Sequence, residues 1–255
     1  MGKGTSRVND NGHPIVPNAA LAVDVVLFTV READDLRDAW QVLLVRSDKP
    51  VFEEHLALPG VVVTPAETFE QAARRALRTK TGLDASNWYL EQLATFGDPE
   101  RDTRGRVASV AYVALVRSTD LELVPGGSVQ DAEWVPVHRA LHRQLAFDHA
   151  EMLRQAVSRL RSKLRYSWVA FQLMPERFTL PELRDVYAAI LDPAVQRLNT
   201  SNFKRAFADL FESGVLVATG ERAEAVGKGR PGDLYRFSGP VSGTWERELP
   251  WHSRR

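Results

Sequence analysis

Residues 58–83 read LPGVVVTPAETFEQAARRALRTKTGL, and this stretch decides the fold of the first half of the chain. The Pro59-Gly60 pair interrupts an apolar segment that runs from Leu56 to Val63. Beyond it, Ala72, Ala73, Ala76 and Leu77 recur at helical spacing between Phe69 and Thr81. Gly82 supplies the stop, because glycine enters the left-handed region that ends many helices at no steric cost. One helix therefore follows a tight turn. On the N-terminal side, Leu21 to Val30 reads as a buried strand with Gln41 to Val45 as its partner. Trp88 to Phe96, Val107 to Val116 and Glu133 to Val137 are further strands. The expectation is a mixed α/β domain over residues 20–147, preceded by a flexible tail at 1–19.

The second half has a different period. Asp148 stands where it can cap a long helix to about Tyr166, with Met152, Leu153, Ala156, Val157, Leu160 and Leu164 on its apolar face. Residues 148–166 are expected to link two domains. Thr179-Leu-Pro-Glu182 is a capping-box pattern with proline in the first turn, and Leu183, Val186, Tyr187 and Ile190 follow at i, i+3, i+4 and i+7. A second helix, capped by Thr200 or Ser201, carries Phe203, Ala206, Phe207 and Leu210 and stops at Gly214. Val215 to Thr219 and Leu234 to Phe237 read as strands around a loop holding Lys228 and Arg230. Helix, turn, helix and a hairpin with a basic tip make a winged helix-turn-helix over 167–240, before a C-terminal tail at 241–255. In that layout the second helix enters the major groove and the wing meets the phosphate backbone.

Composition sets outer bounds. The chain has 255 residues, 44% of them hydrophobic, enough for two ordinary cores. With no cysteine, disulfides, thiolate metal sites and a cysteine nucleophile are excluded. Neither a membrane-length apolar run nor a secretory leader is visible, so a cytoplasmic protein without membrane contact is expected. The 33 basic and 33 acidic residues cancel, so bulk charge does not point to nucleic acid. A local basic stretch from Arg139 to Arg165 reads as a solvated helix face.

Residues 58–83 resemble the Nudix box, the loop–helix–loop of hydrolases that act on nucleoside diphosphates linked to another group. The box positions fall on Val61, Glu67, Arg75, Ala76, Thr79, Lys80, Gly82 and Leu83. Enzymes of this class use glutamates at i, i+3 and i+4 of one helix face to hold divalent ions, which bridge the pyrophosphate and activate water. Here that face carries Ala76, Thr79 and Lys80, and an ammonium repels a cation and offers it no lone pair. The expectation is no catalytic residue, no metal site, no cofactor and no enzyme. Glu67 and Arg75 remain as an ion pair bracing loop to helix, with Gly60 and Gly82 structural.

The resemblance widens through residues 89–96, 98–104, 107–112, 145–149, 159–166, 178–187 and 229–237, which are similar to the NrtR family of regulators. It implies a homodimeric repressor of NAD synthesis or salvage genes. Such a repressor leaves its double-stranded DNA operator when the Nudix-like domain binds ADP-ribose or a related NAD metabolite as effector. Thr200, Asn202, Lys204 and Arg205 on the second helix and Lys228 and Arg230 on the wing are the DNA candidates. Arg46, Arg101 and Arg104 are candidates for a diphosphate, which arginine grips bidentately. With 27 arginines in the chain, a surface role is the bland alternative for each. His138, His142 and His149 read as capping or packing residues. Two other readings stay open: a Nudix hydrolase of ADP-ribose-like nucleoside diphosphates, and a nucleotide-binding adaptor without a DNA role.

Overall fold

Strand alternation in the first domain builds two cores from one sheet. The structure, a computed structural model, describes residues 19–47, 52, 55–82, 84–121, 132–191, 200–224 and 232–240, and of Lys80, Thr81 and Thr200 the backbone alone. Seven strands form the sheet: β1 (Ala20–Val30), β2 (Trp40–Arg46), β3 (Leu56–Ala57), β4 (Gly60–Val62), β5 (Tyr89–Phe96), β6 (Val107–Leu115) and β7 (Ala132–Pro136). Its order is β3-β2-β1-β6-β5, with β4 paired to β1 and β7 to β2. Only β1 and β6 run parallel; every other pair is antiparallel. The sheet is mixed, as the sequence predicts.

Helices α1 (Leu36–Ala39), α2 (Phe69–Thr81), α3 (Val137–Ala140) and α4 (His149–Tyr166) surround it. Val23, Val25 and Leu27 point to one face and meet Ala72, Ala73, Ala76 and Leu77 of α2. Burying Leu77 contributes about 1.5–3 kcal/mol. A capping box holds the start of α2: Thr68 Oγ1 accepts from Gln71 N at 3.2 Å, and Gln71 Oε1 accepts from Thr68 N at 2.8 Å. Gly82, at φ 71°, closes it.

Val26 and Phe28 point to the other face, where they meet α4 through Met152, Leu153, Ala156 and Val157. The helix read as a linker is thus the second layer of the sheet domain. Asp148 precedes α4 but its side chain caps nothing, because Arg101 takes the carboxylate. The basic stretch is solvated and largely paired: Arg139 with Asp38, Arg143 with Glu133, Arg154 with Glu151, and Arg159 and Lys163 with Glu91.

The core under α4 runs unbroken into the second domain. There α5 (Leu180–Ile190), α6 (Thr200–Ala206) and α7 (Ala208–Glu212) precede the antiparallel hairpin β8 (Leu216–Arg222) and β9 (Asp233–Phe237). Phe178 adds a short bridge to Tyr235 of β9. The sequence predicts one helix from Thr200 to Gly214, but the structure breaks it at Phe207, whose ψ of 16° leaves the helical range. Phe207 is fully buried, 4.9 Å from Phe203 and 5.9 Å from Tyr187 by ring centroids, so packing overrides the local helical preference. Arg161 of α4 joins the domains, donating from Nε to Ile190 O at 2.9 Å with its guanidinium 5.5 Å from the Trp40 ring centroid. No helix among the described residues is long and apolar enough to cross a membrane.

Candidate functional site

A single carboxylate interrupts the apolar run of β1. Asp24 lies on the α4 side of the strand and is almost fully buried. Ser109 Oγ donates to its Oδ2 at 2.6 Å, Arg101 approaches the same oxygen at 3.5 Å, and His149 Nε2 lies 3.4 Å from Oδ1. Burial pushes the Asp24 carboxyl up, but His149, Ser109 and Arg101 together outweigh it and hold the group below its ordinary value. Leu58 N donates to His149 Nδ1 at 2.9 Å, which leaves the proton of a neutral imidazole on Nε2, facing Asp24. A Cβ added to Gly60 would stand 2.0 Å from Asp24 Oδ1 and 3.0 Å from Val23 O. The glycine of the tight turn is there so that the turn can close over this carboxylate.

Above this floor is a cavity of about 160 Å³ between β1, the end of β2, the 58–62 turn and the 101–107 loop. Arg46, Arg101 and Arg104, predicted separately from the sequence, all line it. Their states differ. Arg101 is only 3% exposed in its side chain and is held bidentately by Asp148, through Nε at 2.9 Å and Nη2 at 2.7 Å. Arg104 pairs with Asp102 at 2.7 Å and lies 5.5 Å from the Phe147 ring centroid, while Arg46 stands exposed at the end of β2. Phe147 is the one non-glycine among the described residues with positive φ, at 54°, a strain of about 1–3 kcal/mol that persists only when the surroundings impose it. Its ring lies 4.5 Å from Phe52 and 5.2 Å from His149.

The box residues sit on the neighbouring helix. Arg75 donates to both Glu67 oxygens, at 2.9 and 2.5 Å, and to Val62 O at 2.9 Å; Thr64 N donates to Glu67 Oε1 at 2.7 Å. These bonds tie the loop to α2 and lower the Glu67 carboxyl to about 2. Ala76 is buried among apolar side chains, and Thr79 Oγ1 donates to Arg75 O at 2.8 Å. Val61 lines the cavity; the Lys80 side chain and Leu83 lie outside the described residues. Among the described residues no group of three acidic, histidine or cysteine side chains is arranged to hold a metal ion.

Several residues of the pocket or directly behind it escape a reading by motif: Asp24, Asp102 and Phe147 in its lining, Asp148 behind Arg101, and His149, which packs as expected but against Asp24. Asp24 carries a signal, since a carboxylate inside an otherwise apolar strand requires a buried partner. Of the other histidines, His138 is exposed, with Nδ1 3.0 Å from Arg37 O.

In the second domain, α6 buries Phe203 and exposes Asn202, Lys204 and Arg205, and Thr200 opens the helix. Lys204 is tied back to the hairpin: its Nζ lies 3.4 Å from Tyr235 Oη and 5.1 Å from the Phe211 ring centroid. The wing residues Lys228 and Arg230 lie outside the described residues.

Comparison with known proteins bears on both halves. A family model described as the NUDIX domain matches residues 20–156, and one described as the NrtR DNA-binding winged helix domain matches residues 170–237. An ADPR-responsive transcriptional repressor, NtrR, from Acinetobacter baylyi is 36% identical over 224 residues, 87% of this chain and 83% of the relative. Shewanella oneidensis NrtR complexed with a 27mer DNA superposes with a TM-score of 0.76 at 33% identity, over 90% of this chain and 99% of that one. An ADP-ribose pyrophosphatase from Methanocaldococcus jannaschii is 30% identical over 135 residues, 53% of this chain and 71% of the relative.

Proposed function

Because the chain belongs to the NrtR family of Nudix-related transcriptional regulators, we propose that it is a DNA-binding repressor of NAD synthesis or salvage genes whose Nudix domain senses ADP-ribose or a related NAD metabolite without hydrolysing it. The observation that carries this reading is the pairing, in one fold, of an arginine-lined cavity with an α2 face that offers a buried methyl at Ala76 and a committed hydroxyl at Thr79. A sensor that cleaved its effector would erase its own signal. The metabolite is an effector rather than a cofactor. The protein works in the cytoplasm as a homodimer, so that two α6 helices meet successive major grooves of one operator. Asn202 and Arg205 read base edges, the wing residues Lys228 and Arg230 meet phosphates, and Arg46, Arg101 and Arg104 receive the diphosphate.

Fluorescence anisotropy with duplexes from upstream of the gene itself and of neighbouring NAD-metabolism genes tests the reading. Binding that ADP-ribose or NAD weakens is the expected result; absence of binding to every such duplex would favour an adaptor. The enzymatic alternative is tested separately, by AMP release from ADP-ribose with magnesium or manganese. None is expected, and metal-dependent turnover by a clean preparation would sink the pseudoenzyme reading.

A further inference from the structure

Three consecutive residues ahead of and opening α4 are unusual, each in a different way. Phe147 holds a strained positive φ, Asp148 stands at the N-cap without capping, and His149 is buried against Asp24. Phe147 lines the cavity itself, and the contacts of Asp148 and His149 end on Arg101 and Asp24, which also line it. The N-terminus of α4 is therefore fixed by polar bonds to the pocket, where most helices are fixed by their own cap. Arg101 is central to it. Its Nη2 reaches Asp148 at 2.7 Å and Asp24 at 3.5 Å, so one buried guanidinium serves two carboxylates while also lining the cavity. At its other end α4 carries Arg161, bonded to Ile190 O at the end of α5 and stacked on Trp40.

We propose that Arg101 and Asp148 are the positioning pair through which occupancy of the cavity reaches the winged helix. This rests on the effector reading above and goes further, to the residues that transmit the signal. An anionic group entering the cavity engages Arg101 in competition with Asp148, because a third negative charge then shares the guanidinium with the two already there. Each partner weakens the hold of the other, and the effect is reciprocal by thermodynamic linkage. The N-terminus of α4 loosens, and Arg161 passes the shift to α5. Asp148 is in this sense a built-in occupant of the effector's arginine.

The test is Asp148→Asn in the full chain, with Glu151→Gln as control. Asparagine keeps the shape and one acceptor, and Asp24 remains to neutralise Arg101. Glu151→Gln removes a charge from the same first turn of α4 without touching Arg101, since Glu151 pairs with Arg154. Calorimetry should show Asp148→Asn binding ADP-ribose roughly tenfold more tightly than the parent, the scale of one charge-assisted hydrogen bond. Anisotropy without effector should show it holding the operator roughly fivefold or more weakly. Glu151→Gln should match the parent in both, and thermal melting checks that all three are folded. Unchanged or weaker ADP-ribose binding by Asp148→Asn, effector-free operator binding equal to the parent's or tighter, or equal shifts in Glu151→Gln, overturns the proposal. If the parent binds no ADP-ribose, the effector reading fails by itself. The effector-free arm then decides: weaker operator binding by Asp148→Asn alone upholds the linkage, and equal binding overturns it.

Discussion

The two domains solve the same packing problem with opposite interiors. The sheet domain buries polar and charged groups: Asp24, Arg101 and His149 lie at the cavity, each with a named partner. The winged helix buries rings: Phe171, Phe178, Tyr187, Phe203 and Phe207 fill its centre, while Asn202, Lys204 and Arg205 stay outside. A polar interior has alternative partners and can be re-paired by a ligand; an aromatic interior has one good packing and holds its surface still. The difference suits one domain to respond and the other to present.

The largest effect should come from breaking the aromatic side of this contrast. Phe207 is fully buried and packs on Phe203, Tyr187 and Phe171. Phe207→Ala should cost about 3–5 kcal/mol, by lost transfer and a cavity that rigid rings cannot fill. Urea denaturation should show the loss, operator binding should vanish, and ADP-ribose binding should survive. Loss of both together would mean that the two interiors are one cooperative unit.

Gly60→Ala probes the polar side. The added Cβ would stand 2.0 Å from Asp24 Oδ1, and Ser109, Arg101 and His149 hold that carboxylate in place. A destabilisation of about 1–3 kcal/mol is expected, the usual scale for overpacking a fixed site. Calorimetry should also show weaker effector binding. A neutral result on both counts would show that the floor of the pocket is free to move.

On the presenting surface, Asn202→Ala and Arg205→Ala should each cost roughly 1–3 kcal/mol on the operator and relax discrimination between sequences. Lys204 is expected to behave differently, because its ammonium is held against Tyr235 and Phe211 and so links helix to hairpin. Replacing Lys228 and Arg230 together should weaken all DNA alike and reduce the salt slope by about 2. Competition titrations at two salt concentrations separate the three patterns, and parental affinity in every variant would remove α6 and the wing from the interface.

Much of this architecture is legible from one-dimensional pattern. The five longer strands of the sheet, α2 with its glycine stop, the capping box of α5 and the hairpin follow from periodicity and turn chemistry, which are local, whereas the short β3 and β4 flanking Pro59 read only as an interrupted apolar segment. What escapes is set by tertiary contact. Nothing near Phe207 in sequence announces a helix break, since the cause is Tyr187 and Phe171 packed against it. Asp148 looks like a cap because aspartate before an apolar helix usually is one, and only the fold brings Arg101, 47 positions away, to claim it. The three pocket arginines were legible as chemistry but not as states: sequence cannot say that Arg101 is buried and shared while Arg46 is exposed.

The least effect is expected where a half-buried ion pair is set against the fully buried charges of the same domain. Glu67 is bonded by Arg75 and by Thr64 N, which lower its carboxyl from an ordinary 4.5 to about 2. A depressed carboxyl contributes stability in full above its unfolded value and loses it as pH falls through the folded one. The Glu67 contribution is therefore complete above 4.5 and disappears on the way to about 2. Asp24 is depressed as well, so the parent should lose stability in acid from both groups. Glu67→Gln keeps an acceptor but cannot ionise, so its melting temperature should lie below the parent at neutral pH and converge on it as the pH approaches 2. The gap should be modest, because the Arg75 guanidinium is still partly open to solvent, which screens the pair. Asp24→Asn should leave a larger gap at neutral pH, since a buried imidazole and guanidinium then lose their carboxylate. Parallel curves for parent and Glu67→Gln down to acid would mean that the brace contributes through shape alone, and that the charge of this domain is spent entirely beneath the cavity.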